Sequence, residues 1–193
     1  MRLEILVVLF VAAAPRAASA EWQVKPFLAN AFGGSTTIFD LEEAADRRHV
    51  GVGGSVVLLG NVLGVEADVA FFPGFFDRGN LTLVLGSRVT TLTGNLVVAL
   101  PRRLSQYTLR PYAVVGAGLM RVRFDDPTFG PRENMLAFSV GGGATGFLTE
   151  RLGLSWDLRY FRGSGDRNEE APISFVDPKL SFWRVNMALA VRY

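Results

Sequence analysis

The last eleven residues constrain this chain more than any other stretch. Trp183, Val185, Met187, Leu189, Val191 and Tyr193 share one parity, while Arg184, Asn186, Ala188, Ala190 and Arg192 share the other. A period of two sustained over that length dictates a β-strand with one apolar face and one small or charged face. The strand stops on an aromatic residue, where a membrane-interface girdle would sit.

The pattern recurs along the chain. Residues 153–163 set Leu154, Trp156, Leu158 and Tyr160 against Ser155, Asp157, Arg159 and Phe161. Residues 62–72 set Val65, Ala67, Val69 and Phe71 against Gly64, Glu66, Asp68 and Ala70. Weaker segments at 22–32, 49–60, 89–101, 109–123 and 135–148 bring the number of predicted strands to eight. In the second, Gly51, Gly53 and Ser55 alternate with Val50, Val52 and Val56; in the sixth, Ser139, Gly141 and Gly143 alternate with Leu136, Phe138 and Val140. Small residues on one face suit a narrow lumen. Lys25-Pro26-Phe27 and Arg110-Pro111-Tyr112 leave the faces of the first and fifth strands open, because each proline costs a ladder hydrogen bond.

Connections after even strands are short (around Gly60-Asn61, 101–108 and 149–152), whereas those after odd strands are long and polar (33–48, 73–88, 124–134 and 163–180). That strict alternation predicts an all-β fold, an eight-stranded antiparallel up-and-down barrel with both chain ends on the short-turn side. Strands of about ten residues are long enough to cross a bilayer when tilted.

Alternation does not by itself say which face is inside, since a soluble lipid-binding barrel would place its apolar face inward. The N-terminus tips the balance. Arg2, an apolar run over residues 5–14 and Ala18-Ser19-Ala20 before Glu21 read as an export signal, so residues 1–20 are expected to be cleaved and 21–193 to form the barrel domain. No later stretch has the roughly 18 to 20 consecutive apolar residues of a spanning helix, although 49% of the chain is hydrophobic. The expected location is the bacterial outer membrane, with both termini periplasmic. Detergent dependence separates this reading from the soluble one.

Without residues 1–20 the 20 basic and 18 acidic residues become 18 and 17, so the net charge is +1 and no nucleic-acid partner is indicated. The absence of cysteine removes disulfides, thiolate metal sites and cysteine nucleophiles. No cofactor is expected.

The alternating strands ending in Leu189-Ala190-Val191-Arg192-Tyr193, the Arg110-Pro111-Tyr112 strand running into Gly116-Ala117-Gly118, and the four long loops together resemble the OmpA/OmpX-like family of small outer-membrane barrels. No peptidoglycan-binding segment follows Tyr193, so the resemblance to larger two-domain members stops at the barrel. It implies a monomeric, mostly plugged barrel, inserted by the outer-membrane assembly machinery. The implied work is envelope integrity, adhesion or host interaction, sometimes small-solute or lipid handling.

Three residue sets are candidates for function. The first is a lumen network of Glu66, Asp68, Asp157, Arg159, Arg184 and Asn186 near mid-strand. Buried charges persist only when paired and hydrogen-bonded, so a salt-bridge cluster that plugs and rigidifies the barrel is expected. The sharper alternative is a narrow, carboxylate-lined path for cations or protons. The second set is a rim of Arg88, Arg121, Arg123 and Arg162, all with lipid-facing parity at the extracellular strand ends. Arginine forks match phosphate oxygens, so this rim is expected to bind lipopolysaccharide, against a plainer reading of ordinary rim solvation.

The third set is the loops. Twelve acidic residues (Asp40, Glu42, Glu43, Asp46, Asp77, Asp125, Asp126, Glu133, Asp166, Glu169, Glu170, Asp177) outnumber six basic ones there (Arg47, Arg48, Arg78, Arg132, Arg167, Lys179). An acidic outer face could take a basic extracellular partner or divalent cations, but no segment has calcium-loop spacing, so a merely soluble surface is the favoured reading. Loop two is too apolar for a free loop: Phe75, Phe76, Leu81, Leu83 and Leu85 either extend strands, pack over the barrel mouth or admit a hydrophobic small molecule.

Catalysis has little to rest on. The single histidine, His49, has only Ser55 and Glu66 as imaginable partners, and no His-x-Ser-Asn motif like that of lipid A deacylases is present. His49 therefore reads as a rim residue, with no His pair or Cys cluster for a metal. The chain is expected to be a structural or adhesive membrane barrel and not an enzyme.

Overall fold

A computed structural model describes residues 20–36, 48–75, 87–101, 104–105, 109–124, 133–165 and 179–193. Eight strands form one closed barrel: β1 (Glu21–Thr36), β2 (His49–Leu59), β3 (Leu63–Pro73), β4 (Ser87–Ala99), β5 (Leu109–Phe124), β6 (Glu133–Phe147), β7 (Leu152–Ser164) and β8 (Lys179–Arg192). Each strand pairs antiparallel with its neighbour in sequence, and β8 closes on β1. Among the described residues no helix is long and apolar enough to cross a membrane.

Register gives the geometry of closure. Stepping across the ladder from Glu21 leads to Leu59, Gly64, Val97, Val114, Gly141, Arg159 and Arg184, and returns to β1 at Ala31, ten residues above the start. Eight strands with that stagger tilt by about 40° from the barrel axis. The rows therefore climb away from the chain termini as they pass from β1 to β8.

Strand existence and parity match the alternation; strand ends run further. β1 continues past residue 32 through a bulge between Phe32 and Ser35, where Gly33 takes φ 59° and the inward parity shifts by one. β8 begins at Lys179 rather than near 183, and the Thr36 hydroxyl donates to the Lys179 carbonyl (3.0 Å). β6 likewise starts at Glu133, so Glu133 and Lys179 belong to strands and not to loops. Alternating hydrophobicity marks only the segment that faces an apolar medium. Ladder pairing continues beyond it through polar residues.

The burial pattern decides the faces. Leu28, Val50, Val65, Leu92, Val115, Val140 and Met187 point outward and are more than half exposed, while Arg159 and Arg184 point inward and are buried. A soluble barrel would show the reverse. The open faces of β1 and β5 resolve the same way: Pro26 and Pro111 face out, and Lys25, Arg110 and Tyr112 face in. Phe32, Phe71, Phe138, Tyr160 and Trp183 ring the outer wall toward the long-connection end, with Tyr160 and Trp183 ring centroids 5.1 Å apart. Trp22 and Tyr193 mark the other end, where the Tyr193 amide donates to the Trp22 carbonyl (3.0 Å). Both belts are what an outward apolar band crossing a bilayer requires.

Candidate functional site

The lumen is built from the terminal end upward in three layers. In the lowest, the Arg110 guanidinium donates to the carbonyls of Leu100 (3.0 Å), Gly60 (3.0 Å) and Asn61 (2.7 Å), tying two short turns together beneath the barrel floor. Gln23 donates to Glu21 (2.6 Å), and Val57, Leu59, Val97, Ala99 and Val114 pack above. A lumenal cavity lined here by Gln23, Lys25, Glu66, Arg110 and Tyr112 has about 10 Å³, room for roughly one water.

The middle layer holds the charges. Arg159 donates to Glu66 through both terminal nitrogens (2.8 and 3.1 Å) and to Asp157 through Nε and a terminal nitrogen (2.9 and 3.1 Å). It also lies 3.7 Å from Asp68. Arg184 donates to both Asp68 oxygens (2.9 Å each) and stacks its guanidinium over Phe161 at 4.5 Å. Asn186 donates to Asp157 (2.9 Å), so all six predicted lumen residues meet in one cluster.

Residues that the sequence reading missed complete it. The Tyr112 hydroxyl donates to Asp157 (2.9 Å), Asn95 to Glu66 (3.2 Å), and the Ser139 hydroxyl to Asn95 (2.9 Å). Lys25 donates to Thr145 (3.1 Å), lies over the Tyr112 ring and is within electrostatic reach of Glu66 and Asp157. With Lys25 included, three cations (Lys25, Arg159, Arg184) face three carboxylates (Glu66, Asp68, Asp157). One signal could have found it: the six predicted residues alone carry three carboxylates and two guanidiniums, so a further cation had to come from a strand whose face was left open.

Large lumen side chains are seated on glycines of the adjacent strand. Arg159 is the cross-strand partner of Gly141, Asp157 of Gly143, Asn95 of Gly116 and Phe27 of Gly53. A Cβ on any of these glycines would collide with its partner or with the neighbouring backbone. These lumen-facing glycines are therefore the sockets that let an eight-stranded barrel hold Arg159, Asp157, Asn95 and Phe27.

The top layer is apolar. Phe27, Phe72, Phe75, Phe161, Phe182, Met120, Met135 and Leu180 fill the mouth at the long-connection end. Phe75, just past β3, turns inward over the barrel mouth and stacks on His49 at 4.2 Å, with Phe182 at 5.4 Å. His49, the first residue of β2, thus lies at the mouth with its side chain buried and turned inward. Ser55 hydrogen-bonds Glu66, but it lies six residues along β2 from His49, about 20 Å, so the three are not brought together. Among the described residues no cluster of His, Cys, Asp or Glu could hold a metal ion.

The four rim arginines all lie on outward parity toward the long-connection end: Arg88 on β4, Arg121 and Arg123 on β5, Arg162 on β7. Arg121 and Arg162 are exposed, Arg88 and Arg123 half-buried. Arg88 and Arg123 are direct cross-strand partners, and the Arg121 Nε donates to Asn134 (2.8 Å). Phe76, Leu81, Leu83 and Leu85, the eleven acidic loop residues other than Glu133, the four basic ones other than Arg48 and Lys179, and all of the expected export signal but residue 20 lie outside the described residues.

An outward apolar band, a polar, filled interior and complete closure define a transmembrane β-barrel. The chain belongs to the outer membrane protein beta-barrel domain family, whose model matches residues 5–182; it is an integral protein of the bacterial outer membrane. Its fold is similar to that of Neisserial surface protein A (TM-score 0.67, 13% identity, covering 91% of this chain and 100% of that one). It is also similar to OprG of Pseudomonas aeruginosa (0.55, 14%, 91% and 96%) and to Ail, the attachment invasion locus protein of Yersinia pestis, in complex with the heparin analogue sucrose octasulfate (0.54, 17%, 89% and 99%). No curated protein matches the sequence.

Proposed function

We propose that the protein is a non-conducting envelope barrel that works through its outer wall and its long-connection end. The observation that carries this reading is the filled lumen: Arg159 and Arg184 are 1% and 0% exposed, locked between carboxylates, beneath an aromatic layer closed by Phe75. Eight strands leave room for little beyond their own side chains, and here those side chains interlock. In this reading the short-turn end is periplasmic, the long connections are extracellular, and the arginine rim meets lipopolysaccharide phosphates. The same barrel fold supports recognition of a sulfated sugar in Ail, which favours a structural or adhesive role over catalysis.

The test is single-channel recording in a planar bilayer, with protein shown to be folded by its heat-dependent electrophoretic mobility. Silence is expected. A steady current abolished by Glu66→Gln with Asp68→Asn would replace this reading with a carboxylate-lined channel. Within the proposal, changing Arg88, Arg121, Arg123 and Arg162 together to alanine should release co-purifying lipopolysaccharide, and undiminished retention would remove the rim from it.

A further inference from the structure

The outer wall carries a concavity beneath the arginines. One ladder row runs from Pro26 through Gly54 and Val69 to Leu92, and the row below it from Val24 through Val56 and Ala67 to Gly94. Across these rows lies a groove of about 420 Å³ facing the apolar medium. The barrel's own packing does not require it. A Cβ on Gly54 would meet nothing nearer than 3.8 Å and one on Gly94 nothing within 4 Å, in contrast to the lumen glycines, where a Cβ collides.

The charges above the groove are arranged for an anion. Arg88 and Arg123 sit directly opposite each other on the outer wall. Arg121 shares their outer face two residues along β5, and the Arg123 Nε is buried without a hydrogen-bond partner. Three guanidiniums on two adjacent strands present the donor forks that phosphate oxygens take in pairs.

Register joins the two features. Because rows climb from β1 to β4, the upper end of the groove is Leu92. Arg88 stands on the same outward column of β4 four residues on, about 13 Å along the strand. Leu119, the partner of Leu92 on β5, is two residues below Arg121. An acyl chain hanging from a phosphate at the arginines would enter the groove at Leu92 and descend toward Gly54, within the roughly 15 Å that one leaflet's hydrocarbon spans. Arg162, on β7, stands on a different flank.

We propose that Arg88, Arg121, Arg123 and the groove over Gly54, Ala67 and Leu92 form one stoichiometric site for a phosphorylated, acylated outer-leaflet lipid, phosphate on the guanidiniums and one acyl chain in the groove. This rests on the reading that the long-connection end faces outward and the rim meets lipopolysaccharide. It adds a single flank, a bound chain and the exclusion of Arg162.

The probe is lipid A, titrated into detergent-solubilised, folded barrel and counted by native mass spectrometry. Wild type should retain one lipid A. Gly54→Leu with Ala67→Leu, which fills the groove from outside, should weaken that binding by about tenfold or more, and Gly54→Leu alone carries the test if the pair fails to fold. The Arg88, Arg121 and Arg123 triple alanine variant should lose the bound lipid, and Arg162→Ala should keep it. Wild-type affinity in the groove variants, or inorganic phosphate competing as well as lipid A, would overturn the acyl site while leaving the rim reading intact. Wild-type affinity in the triple arginine variant would overturn the site, and the same result with Arg162 also changed would overturn the rim reading with it.

Discussion

Arg159→Ala removes the centre of the lumen cluster. Four charge-assisted hydrogen bonds of 2.8 to 3.1 Å are lost at once, each worth about 1.5 to 3 kcal/mol when a charged group is involved. The full sum is not lost, because Glu66 keeps Asn95, and Asp157 keeps Tyr112 and Asn186. What remains is one carboxylate charge in excess beside Gly141, with the void of a deleted side chain. Breaking a buried pair by removing one partner costs about 3 to 5 kcal/mol, and the variant should fall in that range. Arg159→Met with Glu66→Gln leaves Lys25 and Arg184 against Asp68 and Asp157, restores balance, and should recover about 2 kcal/mol relative to additivity. The assay is urea unfolding in lipid vesicles, followed by the fluorescence of the outward-facing Trp22, Trp156 and Trp183. An unchanged midpoint in Arg159→Ala, or a double variant that loses the sum of its singles, would refute the electrostatic account.

Three further outcomes follow from the same geometry. Gly116→Ala should destabilise the barrel by about 1 to 3 kcal/mol through overpacking against Asn95, whereas Gly94→Ala should be nearly neutral; equal midpoints would show that the lumen is not tightly filled. Phe75→Ala should cost about 3 to 5 kcal/mol, the usual loss for a buried aromatic, yet leave planar bilayers silent because the charge layer below is untouched; current from this variant would make the aromatic layer the barrier. Leu189→Arg, on the lipid face of β8, should cost about 2 to 4 kcal/mol near the bilayer midplane, and a wild-type midpoint in vesicles would place that residue away from lipid.

Fold legibility followed the medium on each face. The alternation in β3, β7 and β8 was strong because lipid tolerates no polar side chain outside and the lumen carries the charges, so both faces wrote their identity into the sequence. β1 and β5 were ambiguous for a physical reason. Pro26 and Pro111 each give up a ladder donor, a defect usual at sheet edges, and a closed barrel has no edge on which to expect them. The ambiguity hid Lys25, Arg110 and Tyr112, which supply the missing cation, the floor clamp and the Asp157 hydroxyl partner. Phe75 was legible as too apolar for a free loop, and packing over the mouth was one of its three placements; choosing among them depends on Phe182, more than a hundred residues away, a contact no local pattern encodes.

The distribution of the two filling materials explains why this lumen needs charge at all. Apolar layers alone could plug the barrel, and they do so at the mouth, where Phe27, Phe72, Phe161 and Phe182 meet. Replacing a buried ion pair with well-packed hydrophobic residues is often neutral or stabilising, so the middle layer is weak evidence of stability for its own sake. Its stronger effect is on specificity. A one-residue slip of β7 or β8 would turn Arg159 or Arg184 toward lipid and Leu158 or Val185 toward the carboxylates, exposing charge to hydrocarbon. Between its two aromatic belts the outer wall is largely aliphatic, and it discriminates weakly between registers. Arg159 and Asp157, seated on Gly141 and Gly143 of β6, can tell them apart.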